Sequence, residues 1–517
     1  MARKDRLFRT TALVTLVIIV SKLCGFVRDM ITANYFGTGI ESDAYTASYS
    51  LFYLPIFLFN SCITSTLVPL FLQARKDGGD REANRFGSGA FNLFGLAAIV
   101  IAAVMFILAK PLVNLLYPGF EAEGLALTVK LTRIMLISLV FNVTSIVMSS
   151  ILNAKEKFIA GQLTGFPLSI ACIIAAVCFS EKYGITALAW GVFASGVMQV
   201  LVQLPFFFGW FKYSPNFDVT DQRFRKLMVL AVPALLSMAV SELNNMIDHA
   251  LASSLAEGSM TALNYGYRLI TFITGILVVP ITTIVFSRFS KMASEGDKDG
   301  MLATIRRCIE VLALMIVPVI AVCAVMNKDV IRFAYGSGAF DERSVAMTSG
   351  AFLFYVIGVL SFGLRDLMNR SFHAMQDTKT PFRTACVVVT LNIILNFILR
   401  ELMGANGLAL ATTLSGFCGM VMMFVLFRRR MGQLGLKRTL IDVTKILVGG
   451  AVCAAVSFGM DALLPEAAGR IQVFFRLAAV AIVAIGAYGI VELVLRERQL
   501  AGIAGSIIGK LTHRKGK

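Results

Sequence analysis

The chain is 517 residues long, 57% hydrophobic and only 15% charged, with a mean hydropathy of +0.77. Those values exclude an ordinary soluble domain, which is far more polar. The formal net charge of +17 would suit nucleic acid, but its placement along the chain, given below, argues for a membrane instead.

Crossing a bilayer core of about 30 Å takes roughly 20 apolar residues in a helix, and runs of that length recur throughout. Period-two alternation is absent, which excludes a transmembrane barrel. The start, Met1 to Arg9, is basic. The apolar run after it is too long for a cleaved leader and reads as a first span. The apolar runs predict fourteen spans: 10–35, 43–72, 86–109, 125–152, 160–180, 185–210, 227–254, 260–286, 302–326, 346–369, 382–403, 406–427, 439–461 and 472–495. Short connections with turn residues separate them, for example Phe36-Gly37-Thr38-Gly39, Tyr117-Pro118-Gly119-Phe120 and Gly404-Ala405-Asn406-Gly407. Nine scattered cysteines show no metal spacing and read as small apolar packing residues.

With span-end residues counted in the adjoining loop, the termini and every second loop hold 33 of the 48 Lys and Arg; the alternate loops hold 7 and the spans 8. Basic clusters such as Arg428-Arg429-Arg430 and the tail Arg514-Lys515 fall on the rich side. By the positive-inside rule both termini are cytoplasmic, and the excess charge faces lipid headgroups rather than nucleic acid.

Two halves resemble each other at a nearly fixed offset. Lys110 to Tyr117 (KPLVNLLY) matches Lys328 to Tyr335 (KDVIRFAY), Asn153-Ala154-Lys155 matches His373-Ala374-Met375, and Asp29 finds Asp248. The expected architecture is therefore all-α and polytopic. Two pseudo-symmetric six-helix lobes, 1–215 and 216–430, are followed by 431–517 with two extra helices and a basic tail. Six spans per repeat give both halves one orientation, with a pseudo-axis along the membrane normal and the site expected between the lobes.

Charges inside spans are costly, roughly 2.5 to 3.5 kcal/mol each on insertion scales, and mark functional positions. Lys22, Arg28 and Asp29 fall in the first span, Arg268 in the eighth, Arg365 and Asp366 in the tenth. Ser21, Gly25 and Arg28 share one helix face. One reading has Lys22, Arg28 and Arg268 holding an anion, since the Arg fork suits phosphate. The other has Arg28 paired with Asp29 or Asp43 to lock helices, or snorkelling to an interface. Glu242, Asn244, Asn245 and Asp248 lie in the seventh span, Asn392 and Asn396 one turn apart in the eleventh, and Thr412 in the twelfth. Their hard oxygens suit Na⁺ or a proton relay; the other reading is interhelical hydrogen bonding, which is common for Asn and Thr in membranes. His249, His373 and His513 form no catalytic motif, and no nucleotide-binding motif is present.

Ser21 to Ala44 (SKLCGFVRDMITANYFGTGIESDA), Gly338-Ala339-Phe340 and Gln376 to Pro381 (QDTKTP) resemble the MurJ (MviN) family of lipid II flippases, within the multidrug/oligosaccharidyl-lipid/polysaccharide exporter superfamily. The resemblance covers nearly the whole chain. It implies a two-lobed fold of fourteen helices in the bacterial cytoplasmic membrane. It also implies export of the undecaprenyl-diphosphate-linked peptidoglycan precursor, lipid II, by alternating access. The family's cavity basics fall on Lys22, Arg28 and Arg268, with acids at Asp29 and Asp43. Lys22 stands where Arg is usual, a further family Arg falls on Ile56, and Tyr53 stands at a usual Asn. A Na⁺ site known in some members falls on Asp248, Asn392, Asn396, the Leu408 carbonyl and Thr412, with Asn396 in place of an Asp. No other cofactor is expected. The expected partners are lipid II, membrane lipids and, as further candidates, cell-wall synthesis proteins.

Other functions compete with this reading. A different exporter of the superfamily, moving a polysaccharide-lipid or exchanging drugs for cations, shares the fold. A membrane enzyme acting on the same lipid needs a catalytic His, Asp or Glu at a membrane surface, and none stands out. A scaffold leaves the intramembrane Arg residues unexplained.

Overall fold

The computed structural model describes residues 2–215, 223, 242, 244–432, 435–465 and 469–495. Secondary structure among them is helical throughout, with no strand. A chain with no water along its length must satisfy every backbone group internally, and the helix does so segment by segment.

The first helices are α1 (Ala2–Phe36), α2 (Ile40–Ile107), α3 (Ala109–Leu116), α4 (Ala122–Leu136), α5 (Leu139–Ala154), α6 (Phe158–Gln162), α7 (Gly165–Tyr183) and α8 (Thr186–Phe207). A helical stretch over 244–252 precedes α9 (Ser259–Leu277), α10 (Val279–Glu295), α11 (Lys298–Val325), α12 (Asn327–Tyr335), α13 (Glu342–Ala374), α14 (Lys379–Met403) and α15 (Ala405–Met431). The last two are α16 (Leu436–Leu463) and α17 (Arg470–Val494). Nine of the described helices are long and apolar enough to span a membrane, and eleven qualify if each of two bent pairs counts as one span. Those pairs are α4 with α5, bent by 42°, and α9 with α10, bent by 47°. Of the predicted seventh span, 227–254, the part before 244 lies outside the described residues, Glu242 excepted. The basic tail beyond 495 and most of the segment around the predicted boundary at 215 lie outside them too.

At 68 residues, α2 is about 100 Å long at 1.5 Å per residue, enough for two crossings. It consists of two helical stretches that meet at a kink, where Gly78 (φ −141°) and Gly79 (φ 70°, ψ −163°) leave helical geometry. The Gly79 conformation is open only to glycine. The polar sequence around the break (ARKDGGDREANR) keeps it out of the hydrocarbon, and the predicted second and third spans lie on either side.

The chain divides into two compact units: Met1–Thr261 with Gly338–Asp341, and Ala262–Ser337 with Glu342–Lys517. In the first unit, Ile63, Leu67 and Phe71 of α2 pack with Leu131 of α4, Leu139, Val143 and Ile151 of α5 and Leu188 of α8, all essentially without solvent contact. In the second, α16 and α17 pack against α11 through Ala313, Val317, Ile446, Cys453, Val480, Ala484 and Tyr488. Arg476 at the start of α17 forms ion pairs with Asp329 of α12 and with Asp461 of α16.

The internal repeat is visible in the local backbone of the two units. Glu156 (φ 60°) and Gln376 (φ 58°), 220 residues apart, are the positive-φ non-glycine residues among those described. Their surroundings match bond for bond: Lys157 N donates to Leu152 O at 2.9 Å and Asp377 N to Phe372 O at 2.9 Å, while Lys155 and Met375 each donate to the carbonyl four residues back at 3.2 Å. Gly184 (φ 54°, ψ −146°) and Gly404 (φ 59°, ψ −132°), again 220 apart, end α7 and α14 alike. Chance similarity between apolar helices does not reproduce such irregular backbone.

Candidate functional site

Arg28 sits in the second half of the first predicted span, where α1 leans on α7. The approach is close because the facing residues are small: a side chain at Gly165 would meet the Ser21 hydroxyl at 2.2 Å, and Gly25 faces the hydroxyl of Ser169. Arg28 Nε and Nη2 both donate to Asp29 Oδ1, at 3.0 and 2.8 Å, and the pair is largely shielded from solvent. Of the two acids considered from sequence, the partner is therefore Asp29, not Asp43. Two donors on one oxygen is not the bidentate fork, so the guanidinium keeps donor capacity for an anion. Tyr45 and Tyr49 of α2 lie within its electrostatic reach. Lys22, six residues and nearly two turns earlier, is exposed.

Asp43 does something else in the same unit. It is buried near the start of α2. Its Oδ2 accepts from Gly258 N at 2.8 Å, and its Oδ1 accepts from Thr261 N at 2.8 Å and Thr261 Oγ at 2.7 Å. Gly258 N and Thr261 N are backbone donors at the start of α9, of the kind a helix leaves unsatisfied. Glu257 returns the arrangement, accepting from Ile40 N at the start of α2 at 2.8 Å. Asp43 and Glu257 thus cap each other's helices, and the Asp43 carboxylate has both oxygens engaged.

Arg268 belongs to the second unit. It is half-buried on α9, where its Nε donates to Asn264 Oδ1 at 2.6 Å. In the same unit Asp366 accepts from Arg370 Nε and from Thr282 Oγ, each at 2.9 Å. Arg365 lies under α15, its stem against Gly419.

The predicted cation ligands of the second unit do come together. Asn392 and Asn396 of α14 are buried. Asn396 Nδ2 donates to Asn392 Oδ1 at 2.9 Å, and Asn392 Nδ2 faces Thr412 Oγ and Ser415 Oγ of α15, each at 3.4 Å. Thr412 Oγ donates to the Leu408 carbonyl at 3.1 Å. Ser415 was not singled out in the sequence, although it shares a helix face with Thr412. These donors are neutral, hard oxygens, which suit an alkali cation rather than a transition metal; they also form an interhelical hydrogen-bond chain as they stand. Asp248, the carboxylate of the predicted set, lies in the first unit, where Asn244 Nδ2 donates to it at 3.3 Å.

The family model "Lipid II flippase MurJ" matches residues 32–478. The chain belongs to the MurJ family. A probable lipid II flippase MurJ of Rhizobium tropici is 28% identical over 447 residues, 84% of each chain. The lipid II flippase MurJ of Burkholderia cenocepacia is 27% identical over 440 residues, 82% of this chain and 84% of its own. A solved structure of lipid II flippase MurJ in an inward closed conformation superposes with a TM-score of 0.79 at 25% identity, covering 94% of this chain and 99% of that one. An inward-facing multidrug-resistance MATE transporter shares the fold alone, with a TM-score of 0.67 at 13% identity, over 82% of this chain and 99% of its own. The chain is a multi-pass membrane protein of the MurJ family, with the all-α architecture expected from its apolar runs.

Ile56 of α2 packs on the core of the first unit. The side chain one turn earlier that reaches open space is Tyr53.

Proposed function

We propose that this protein is a lipid II flippase of the bacterial cytoplasmic membrane, a transporter rather than an enzyme. It carries the undecaprenyl-diphosphate-linked peptidoglycan precursor from the inner to the outer leaflet by alternating access. Arg28 and Arg268 hold the substrate diphosphate, Asp29 orients Arg28, and Lys22 adds a more exposed positive charge. The observation that carries the reading is the match to the family model over residues 32–478, which includes Asp43, Arg268 and the whole second set of polar residues. The Arg28–Asp29 pair supports it: both residues lie on α1, so the pair locks no two helices together, and it leaves the guanidinium donor capacity for a substrate anion. Lys and Arg asymmetry supports cytoplasmic termini.

With no nucleotide-binding motif, the work comes from an ion gradient or the membrane potential. One charge moved through 100 mV supplies about 2.3 kcal/mol, enough to bias a two-state equilibrium by almost two decades. If the coupling ion is Na⁺, Asn392, Asn396, Thr412 and the Leu408 carbonyl would hold it, with Asp248 supplying the negative charge.

Depletion in the native host tests the reading. Lipid II should accumulate on the cytoplasmic leaflet and growth should fail with loss of cell shape. Depletion that leaves the leaflet distribution of lipid II unchanged would point to another superfamily exporter.

A further inference from the structure

Along α2, Tyr45, Tyr49, Tyr53 and Phe57 recur every four residues and so lie on one helix face. Their rings form a ladder. Tyr45 and Tyr49 are stacked with centroids 6.2 Å apart and planes 26° apart; Tyr49 and Tyr53 are stacked at 5.9 Å and 12°; Tyr53 and Phe57 follow at 6.2 Å. Tyr45 and Tyr49 rest one edge on the core of the first unit, whereas Tyr53 is 40% exposed.

This is not the tyrosine belt of a membrane interface. Tyr53 lies thirteen residues into α2, about 20 Å along the helix at 1.5 Å per residue, well past the headgroup level. Nor is the face one that suits lipid tails. Arg28 flanks it on the α1 side, in electrostatic reach of Tyr45 and Tyr49. Ser50 Oγ, next to Tyr49 in the chain, and His249 Nδ1 are 2.8 Å apart, and Glu242 lies in electrostatic reach of Tyr53. Aromatic rings with hydroxyl tips, set near a guanidinium and polar groups, make a face that is both aromatic and polar.

We infer that this tyrosine ladder is a saccharide-binding wall: the sugars of the diphosphate-linked substrate lie along the exposed sides and hydroxyl tips of Tyr49 and Tyr53 while Arg28 holds the diphosphate beside them. The inference rests on the proposed flippase function and adds to it a part of the site that recognises sugar rather than phosphate. The chemistry is complementary. A pyranose presents a face of polarised C–H groups to an aromatic ring and a rim of hydroxyls to the tyrosine oxygens and their polar neighbours. Tyrosine supplies such area with only two side-chain torsions to fix. Spaced about 6 Å apart, successive rings match successive sugars.

The test uses the purified full-length protein titrated with two ligands, lipid II and undecaprenyl diphosphate, which share the lipid and diphosphate but not the saccharide. Wild type should bind lipid II more tightly. Tyr53→Ala should weaken lipid II binding about three- to tenfold, the range expected from the loss of one aromatic contact, and leave undecaprenyl diphosphate unchanged. Tyr53→Phe should keep most of the lipid II affinity, and Arg28→Ala should weaken both ligands. Lipid II affinity unchanged in Tyr53→Ala and Tyr49→Ala, or an equal loss for both ligands, would overturn the saccharide-binding wall while leaving the flippase reading intact. Wild-type protein that binds neither ligand would overturn the flippase reading itself.

Discussion

Asp43→Asn separates a structural carboxylate from a substrate-binding one. The resemblance places Asp43 among the substrate acids, while the structure has it capping α9. Asn is the same size and keeps one acceptor oxygen. If that oxygen stays on Thr261, the amide nitrogen is turned toward Gly258 N, and a donor then faces a donor. The 2.8 Å bond from Gly258 is lost and its buried N–H is left unsatisfied. A hydrogen bond to a charged group contributes about 1.5–3 kcal/mol, and the two Thr261 bonds to Oδ1 weaken once the charge is gone. Asp43→Asn should therefore destabilise the protein by about 2–4 kcal/mol, and Asp43→Ala, which removes all three bonds, by more. The assay is thermal unfolding of the detergent-purified protein, paired with a double-mutant cycle against Thr261→Val. The cycle should show coupling, because Thr261→Val removes the hydroxyl bond to Oδ1 that loss of the Asp43 charge already weakens. Asp43→Asn protein that unfolds like wild type yet has lost transport would refute the capping argument and return Asp43 to the substrate site.

Other expectations follow from the same geometry. Arg28→Ala and Arg268→Ala should abolish complementation of a flippase-depleted strain at normal protein levels, and Arg28→Lys should complement partly, because charge survives without the planar fork; normal growth of either Ala variant would refute the assignment. Gly79→Ala should lower stability by about 1–3 kcal/mol, the cost of holding an alanine at φ 70°, ψ −163°; a clash is not the cause, since nothing lies within 4 Å of the added carbon, and an unchanged unfolding temperature would show that the break in α2 relaxes. In the loop before α14, partial burial raises the Asp377 carboxyl, but hydrogen bonds from Thr380 N and Oγ and the charge of Arg430 outweigh it and hold the group below its ordinary range. A depressed carboxyl contributes stability that is complete above its unfolded value of about 3.9 and is lost as pH falls through the folded value. Proteolysis of this loop should therefore be flat from neutral pH down to about 5 and rise only below about 4, and Asp377→Asn should raise it already at neutral pH. A reporter active only outside the membrane should be inactive when fused after Lys517 and active when inserted near Gly338; the reverse would overturn the orientation read from Lys and Arg.

The membrane-spanning character of the chain was legible in its apolar runs because bilayer thickness imposes a length that few other structures need. The repeat was legible at Lys110 and Lys328, where loop chemistry recurs, and the backbone at Glu156 and Gln376 carries it further than side-chain identity does. The breaks were not legible. The segment around Gly78 and Gly79 reads as a loop because it is polar, but Arg75, Lys76, Arg81, Glu82 and Ala83 are good helix formers, so the helix continues up to and after one glycine-only corner. The bends at 137–138 and at 278 fall inside apolar runs that give no sign of them. Of the site, Arg28 and Asp29 are neighbours in sequence and their pairing is local. The cap from Asp43 to Gly258 and Thr261 spans more than 200 residues and leaves no local pattern. Tyr53 registered in the sequence only as a departure from a usual Asn; its meaning depends on Tyr45 and Tyr49 stacking along a face that periodicity alone does not distinguish from a buried one.

The most direct test of the account is translocation in proteoliposomes holding the purified protein as their only protein, with labelled lipid II placed in one leaflet. The account predicts that wild type moves the label to the opposite leaflet under an imposed ion gradient or potential, and that Arg28→Ala does not. Label that stays in place with active, folded wild-type protein under every imposed gradient, or that moves equally well with Arg28→Ala, would contradict it.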